Sequence, residues 1–491
     1  MKRIVFAGLF RRIKAISATL ALLGLLSVPA GYAFSAPAET PEQVKEVQEI
    51  LNRVHIGGAP KSPSDSDTID DMIKSLDDPY TDYFDEEEWT SFQNSLDLNY
   101  AGIGMRLGQD ENGFIAVEVF RGSPAEAAGL QRGDYIVAIG DKTTADMKIE
   151  QVTGLIRGAE DTEIAIKVKR GDTEIDVLPR RGQIHLPVVS GGMMESGIGY
   201  ISIDSFSDDA DERFAAILNV LKTGGAKGLV VDLRDNPGGI LETAQHIAEQ
   251  FIPEGILIHT RDKNGSDRPV LIQNGRTVTF PVVLLVNENS ASASEVLTAA
   301  LQDYAKAIAV GAKTYGKGSV QALYELNSGG VLKVTVEEYL SPNKREVNKV
   351  GLMPDVPTEG TVPQLLIGLH KAGAEQIRVE MERHLYRVNG FEFYDAATPV
   401  LSVDGALYMP ARVLAAAVGV QLEWNDSVQG VVIGKDSSAA TFDSASGFLI
   451  EGGTGFIELS RFKERFPQTE WTSEPGKTVL TVKGTGTAWG K

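Results

Sequence analysis

The chain has 491 residues, a formal net charge of −20, 6 histidines and no cysteine. That charge argues against a nucleic-acid partner. The missing cysteine excludes disulfides and a thiol nucleophile, and the length calls for several domains.

Residues 1–36 open with Lys2, Arg3, Arg11, Arg12 and Lys14, continue through the mostly apolar Ala15 to Val28, and end on small residues. This is the pattern of an export signal cleaved after Ala33 or Ser35, or of a retained membrane anchor. The apolar stretch is shorter than a typical span. The expected location is extracytoplasmic, either secreted or attached at the outer face of the membrane or cell envelope.

Residues 37–95 read as a helical N-terminal domain. Val44, Val47, Ile50, Leu51 and Val54 recur at helical spacing, as do Ile69, Met72, Ile73 and Leu76. Asp77 to Phe84 is a turn with aromatic anchors, and Asp85–Glu88 suits the start of a further helix.

Residues 96–187 carry a glycine-bracketed loop, Gly102-Ile103-Gly104, ahead of a strand over 114–119. Ser123-Pro124 opens a short helix that Gly129 ends. Strands are expected over 135–139 and 163–170, with a helix ending at Leu155-Ile156-Arg157-Gly158. The arrangement looks like a PDZ domain, which takes a peptide's C-terminal strand along a sheet edge. The amides of Gly102, Ile103 and Gly104 are then the candidates for the peptide carboxylate. Arg157, the charged residue at the end of that helix, is the candidate latch of this domain.

Residues 188–360 alternate strands and helices, as an α/β core does. Gly228–Leu233 is a buried strand running into Arg234-Asp235-Asn236-Pro237-Gly238-Gly239. Pro281–Val286 is a second wholly apolar strand, broken by Asn287, Glu288 and Asn289. From Ser292, the residues Ala293, Val296, Leu297, Ala300 and Leu301 return to helical spacing. Ser290, Ser292 and Ser294 therefore sit where a strand turns into a helix, whose free N–H groups favour an oxyanion.

A serine hydroxyl needs a base, and no histidine stands within 30 residues of this run. A buried lysine can serve. Of free lysines with a pKa of about 10.4, roughly one in 2,500 is neutral at pH 7, so bringing one near 7 takes about 4–5 kcal/mol of differential desolvation. Lys317, between Gly316 and Gly318, is the candidate. Taken singly, a Ser/Ala run is an N-cap and a Gly-Lys-Gly an exposed turn. The residues alone leave both readings open.

The stretch from Asn287 to Gln321, with Asp232–Gly239 before it, resembles the C-terminal processing peptidases, or tail-specific proteases. The resemblance covers roughly residues 41–359. It implies a crotonase-like core and a Ser-Lys dyad. Lys317 stands 25 positions after Ser292, the family's spacing, which singles out Ser292 as nucleophile. It further implies that Gln321 orients the lysine and that the amides of Gly238 and Ala293 form the oxyanion hole. No metal or other cofactor is called for. Substrates would be proteins with exposed apolar C-termini, and the N-terminal helical domain becomes a candidate homodimer contact. Asp161 departs from the family's glycine before Thr162.

Residues 361–383 are expected to form a helical connector. Residues 384–491 lie outside the peptidase resemblance. They look like the copper amine oxidase N-terminal-like module of exported Gram-positive proteins, read here as a stalk or adhesion module without a copper site. The expected fold class is multidomain α/β: a peptidase core with a PDZ domain, a helical N-terminal segment and a small α+β C-terminal module. The rival functions are a catalytically idle PDZ scaffold and a binder of small apolar ligands.

Overall fold

The computed structural model describes residues 39–58, 68–110, 112–383, 385–394, 400–435 and 439–484, with the backbone of 15–17. The expected export signal otherwise lies outside the described residues; the backbone of Ala15–Ser17 pairs antiparallel with 322–324. Among the described residues no helix is long and apolar enough to cross a membrane.

The core is a sheet of strands Val189–Met193, Ile198–Ile203, Gly228–Asp232, Val282–Val286, Ile308–Gly311 and Val356–Pro357, in that spatial order. Only the first pair is antiparallel. Covered on both faces, the central strands read as continuous apolar runs, GLVVD and VVLLV. Their alternate side chains divide between two cores. Leu229, Val231 and Leu284 meet Phe214, Ile247 and Val296 of the helices Ala210–Thr223, Leu241–Ala248 and Ala293–Asp303. Val230, Val283 and Leu285 meet Leu365, Leu366 and Leu369 of the helix Thr361–Lys371. Three adjacent parallel strands thus end side by side at Asp232, Val286 and Gly311, where the loops carrying the candidate residues begin.

A second sheet runs Ser319–Glu325, Val331–Leu340, Gly255–Asp262, Asp267–Ile272. The N-terminal segment is built onto it, which corrects the picture of a separate helical domain. The helices Pro41–Val54 and Ile69–Lys74 bury Val47, Leu51, Ile69 and Met72 against Tyr324, Leu332 and Val334. The Asp77–Phe84 turn ends in a strand, Asp82–Phe84, paired with residues 331–333. The segment's apolar residues share a cluster with the hairpin 319–340, beside their own packing of Phe84, Trp89 and Phe92.

The PDZ unit has a sheet ordered Met105–Asp110, Gly113–Val119, Tyr135–Ile139, Ile166–Arg170, Thr173–Val177 around its own core of Phe114, Leu130, Ile136, Val152 and Val168. Its third long strand starts at Ile166 rather than Glu163. Asp161 keeps the turn that a glycine would favour: its φ is +64°, and its carboxylate pairs with Arg180 at 3.2 Å. Asp is among the few side chains that enter this region at modest strain.

The connector and the C-terminal module also depart from expectation. Only Thr361–Lys371 is helical; Gln376–Glu382 is the middle strand of a five-stranded sheet with Leu385–Val388, Phe391–Tyr394, Lys477–Lys483 and Thr469–Glu474. The module is no tethered stalk. Leu414, Ile433, Phe462 and Leu480 share one continuous core with the connector helix and the back of the peptidase sheet. The end of the connector also holds the PDZ unit, through Arg132 to Glu382 at 3.3 Å and Arg383 to the Tyr135 hydroxyl at 2.6 Å.

Candidate active site

The loop after Val286 makes a sharp corner at Ser292. This residue has φ +53° and ψ −114° and immediately precedes the helix Ala293–Asp303. A non-glycine residue in that region is strained by on the order of 1–3 kcal/mol, and such strain persists only where surroundings hold it.

Two groups hold it. Glu295, fully buried, accepts the Ser292 N–H at 3.0 Å. The Tyr339 hydroxyl lies 3.2 Å from the Ser292 carbonyl oxygen.

The three serines separate clearly. The Ser290 hydroxyl donates to the Leu233 carbonyl at 2.8 Å, and the Ser294 hydroxyl to the Asn236 carbonyl at 2.9 Å. The Ser292 hydroxyl is buried and makes no hydrogen bond. Ser292 occupies the N-cap position, yet only the glutamate half of the capping box forms. An ordinary cap would have committed this oxygen.

The same two holding groups reach across to Lys317. Glu295 accepts the Lys317 N–H at 2.8 Å and the Gly316 N–H at 2.8 Å, and takes the Thr314 hydroxyl at 2.5 Å. The Tyr339 hydroxyl donates to the Lys317 carbonyl at 2.9 Å. Serine elbow and lysine loop are therefore joined through one carboxylate and one phenol. Burial raises the Glu295 pKa, against the lowering by its four donors.

Lys317 is 2 % exposed. Desolvation brings its pKa down to about 7, aided by the nearby Lys333 and opposed by Asp78 and Glu295. Lys333 is itself buried and lowered for the same reason. Burial thus favours the neutral amine near pH 7, the condition a lysine base requires.

Gln321 is buried beside this group, but its expected bond to the lysine is not made. Its amide nitrogen donates to the Ser319 hydroxyl at 2.9 Å and the Thr335 hydroxyl at 3.2 Å, and its Oε1 has no hydrogen-bond partner.

The oxyanion expectation also needs correcting. The Ala293 N–H, at the helix start, makes no hydrogen bond among the described residues. The Gly238 N–H is engaged, donating to Asn236 Oδ1 at 2.8 Å. Gly238 nevertheless lies against the elbow. A Cβ there would sit 2.8 Å from Ser292 Cβ and 2.9 Å from the Ala293 nitrogen, and φ is +108°. Asn236, fully buried, holds this turn by donating to the Ile203 carbonyl at 2.6 Å. Arg234 fixes its other end with a buried bidentate pair to Asp232, at 2.8 and 2.5 Å, and a bond to the Thr361 carbonyl at 2.6 Å.

On the PDZ unit, Gly102, Ile103 and Gly104 line a groove of about 720 Å³ beside Tyr100 and Arg157. The Ile103 and Gly104 carbonyls are taken by the N–H groups of Ala125 and Phe120, at 2.7 and 3.0 Å, while their own N–H groups make no hydrogen bond among the described residues. Gly104 has no room for a side chain: a Cβ would meet Ser123 Cβ at 2.4 Å. Arg157 is exposed at the helix end, with its guanidinium 5.2 Å from the Tyr100 ring centre. Among the described residues it makes no contact with the peptidase core that would latch it.

Residues 197–358 match the model of peptidase family S41, and residues 115–170 match a PDZ domain model. A carboxyl-terminal-processing protease of Synechocystis is 33 % identical over 299 residues, covering 59 % of this chain and 70 % of that protein. The chain belongs to the S41 peptidases. The carboxy-terminal processing protease CtpA of Bacillus subtilis is 35 % identical over 293 residues, 59 % of this S41 chain and 63 % of that relative, just under two thirds of its length. Among solved structures, a photosystem II D1 C-terminal processing protease aligns over 68 % of this chain and 97 % of its own, at 23 % identity and a TM-score of 0.47.

Sequence reasoning missed several residues of this site. Glu295 was detectable as the fourth position of a Ser-x-x-Glu capping box. Asp232, Arg234 and Asn236 stand inside the DLRDNPGG motif without advertising their roles. Tyr339, Lys333 and Tyr80 arrive from distant strands and turns, and no local pattern marks them.

Proposed function

We propose that the chain is a serine endopeptidase of the C-terminal processing type, with Ser292 as nucleophile and Lys317 as general base. The observation that carries this reading is the buried, uncommitted Ser292 hydroxyl, tied through Glu295 and Tyr339 to a buried lysine whose pKa lies near 7.

In the reaction, Ser292 Oγ attacks the peptide carbonyl while neutral Lys317 takes its proton. The tetrahedral oxyanion meets the Ala293 N–H and the helix N-terminus. A second donor becomes available when substrate turns the Gly238 N–H away from Asn236. Lys317 then gives its proton to the leaving amine, and the acyl-enzyme is hydrolysed by water that the same lysine deprotonates. Gln321 Oε1, which has no hydrogen-bond partner, is in this reading the acceptor for the lysine ammonium. Catalytic hydrogen bonds that are open without substrate commonly close in the Michaelis complex.

Substrates are unfolded proteins whose apolar C-terminus lies in the PDZ groove, its carboxylate on the Ile103 and Gly104 amides. The basic, then apolar, start of the chain supports an extracytoplasmic location. The test is cleavage of an unfolded reporter with an apolar C-terminus, free or amidated. Amidation removes charge-assisted hydrogen bonds and is expected to lower kcat/KM by about tenfold or more. Equal rates on both reporters would remove the tail-reading role while leaving the peptidase. No cleavage of either reporter would favour the idle scaffold.

A further inference from the structure

The turn Asp77–Thr81 belongs to the N-terminal segment, yet it lies over the lysine. The Tyr80 ring centre is 4.8 Å from Lys317 Nζ. The turn is fastened by a buried pair that the reaction does not use. His55 Nε2 is 3.2 Å from Asp78 Oδ2, with the two side chains 3 % and 12 % exposed. Asp78 also accepts the Thr81 hydroxyl at 2.6 Å and the Tyr80 N–H at 3.0 Å. Thr81 accepts the Thr335 N–H at 3.1 Å, and the Ile56 N–H donates to the Thr335 carbonyl at 2.9 Å. The Thr335 hydroxyl is the one that Gln321 binds, at 3.2 Å. One chain of polar contacts thus runs from His55 to the strand that follows Lys317.

We propose that this turn is a fixed lid on the general base, in which Tyr80 covers the Lys317 amine as a positioning residue and the His55–Asp78 pair is the clasp that keeps Tyr80 there. The inference rests on Lys317 being the base.

The ring acts on both protonation states. Before reaction it keeps water from one side of the amine, which disfavours the ammonium. Once the lysine has taken the serine proton, the ring face attracts the new cation. These effects oppose each other in the resting pKa, which burial of the amine as a whole lowers. Among the described residues, the charged groups acting on the amine are Lys333, which adds to the lowering, and Asp78 and Glu295, which oppose it. Tyr80 and Tyr339 are further ionisable neighbours among the described residues, and Tyr315 bonds to Tyr80. Burial and the bond to Tyr315 push the Tyr80 phenol up to about 12, so it stays neutral and is no rival base near pH 7.

The test measures kcat/KM on the unfolded reporter from about pH 5 to 10, with melting temperatures, for wild type, Tyr80→Leu, Tyr80→Phe and His55→Gln. Losing the ring lets water reach the amine. The acidic limb of Tyr80→Leu is expected to move up by about one unit or more. Activity then drops roughly tenfold at pH 7 and recovers towards the wild-type value at about pH 9–10. Tyr80→Phe keeps the ring and should keep the position of the limb. His55→Gln loosens the clasp and should move the limb in the same direction as Tyr80→Leu; it carries the test if Tyr80→Leu does not fold. A wild-type limb in both, or a loss equal at every pH, overturns the lid. If Lys317→Met still cleaves the reporter, the base assignment itself has failed, which is a separable result.

Discussion

Replacing Lys317 with methionine is expected to abolish hydrolysis and at the same time to raise thermal stability below neutral pH. The catalytic loss should be about 10⁴-fold or more, since nucleophile and base act as a unit. The stability gain follows from linkage. The lysine pKa falls from 10.5 in the unfolded chain to about 7 in the fold. Between those values the folded protein binds fewer protons than the unfolded one, so wild-type stability rises with pH across that window. Below about pH 7 the full penalty applies, on the order of 4–5 kcal/mol. Methionine fills similar space without charge. Imperfect packing takes back part of the gain, leaving roughly 2 kcal/mol. Melting curves near pH 6 and pH 10 check this: the variant should melt higher at the acidic pH, and the difference should shrink at the alkaline one. A variant less stable than wild type at pH 6 would mean that the ammonium is held by strong partners and is not poised as a base.

Glu295→Ala should damage both fold and chemistry. The carboxylate satisfies three backbone N–H groups and one hydroxyl from two loops. Leaving buried donors without acceptors costs about 1–3 kcal/mol each, hence roughly 3–9 kcal/mol for the three backbone groups alone. The strained Ser292 corner then has one support fewer, and a misplacement of about 1 Å is enough for a hundredfold loss in rate. Glu295→Gln keeps an acceptor oxygen and should fall between. Melting temperature and kcat/KM together read the effect. An alanine variant with near wild-type values of both would show that the loops hold their geometry without the carboxylate.

Much of this was legible in the chain because its signals are local. The parallel core announces itself in GLVVD and VVLLV, and the elbow in a strand broken by Asn287–Asn289 and followed by helical spacing from Ser292. The family resemblance, through its spacing, adds Lys317 as the candidate partner of Ser292. What could not be read depends on long-range packing. The N-terminal helices look like a small domain because their amphipathic pattern says only that a partner exists; that partner is the hairpin 319–340. Gln376–Glu382 looks like the end of a connector because a short alternating run does not say which sheet it joins. The state of individual hydrogen bonds was equally hidden. Nothing near Gly238 in sequence says that Asn236 occupies its N–H, and nothing near Lys317 says that Tyr80 lies over its amine.

If Lys317 is the base, its deprotonation switches the enzyme on. The most direct measurement is the pH dependence of kcat/KM for cleavage of an unfolded reporter with an apolar C-terminus by the wild-type protein. This quantity reports the ionisations of the free enzyme. The expected result is an acidic limb governed by one ionisation, with an apparent pKa close to the value of about 7 that burial imposes on Lys317. A limb near pH 4 would instead name a carboxylate as the base and would contradict the Ser292–Lys317 assignment.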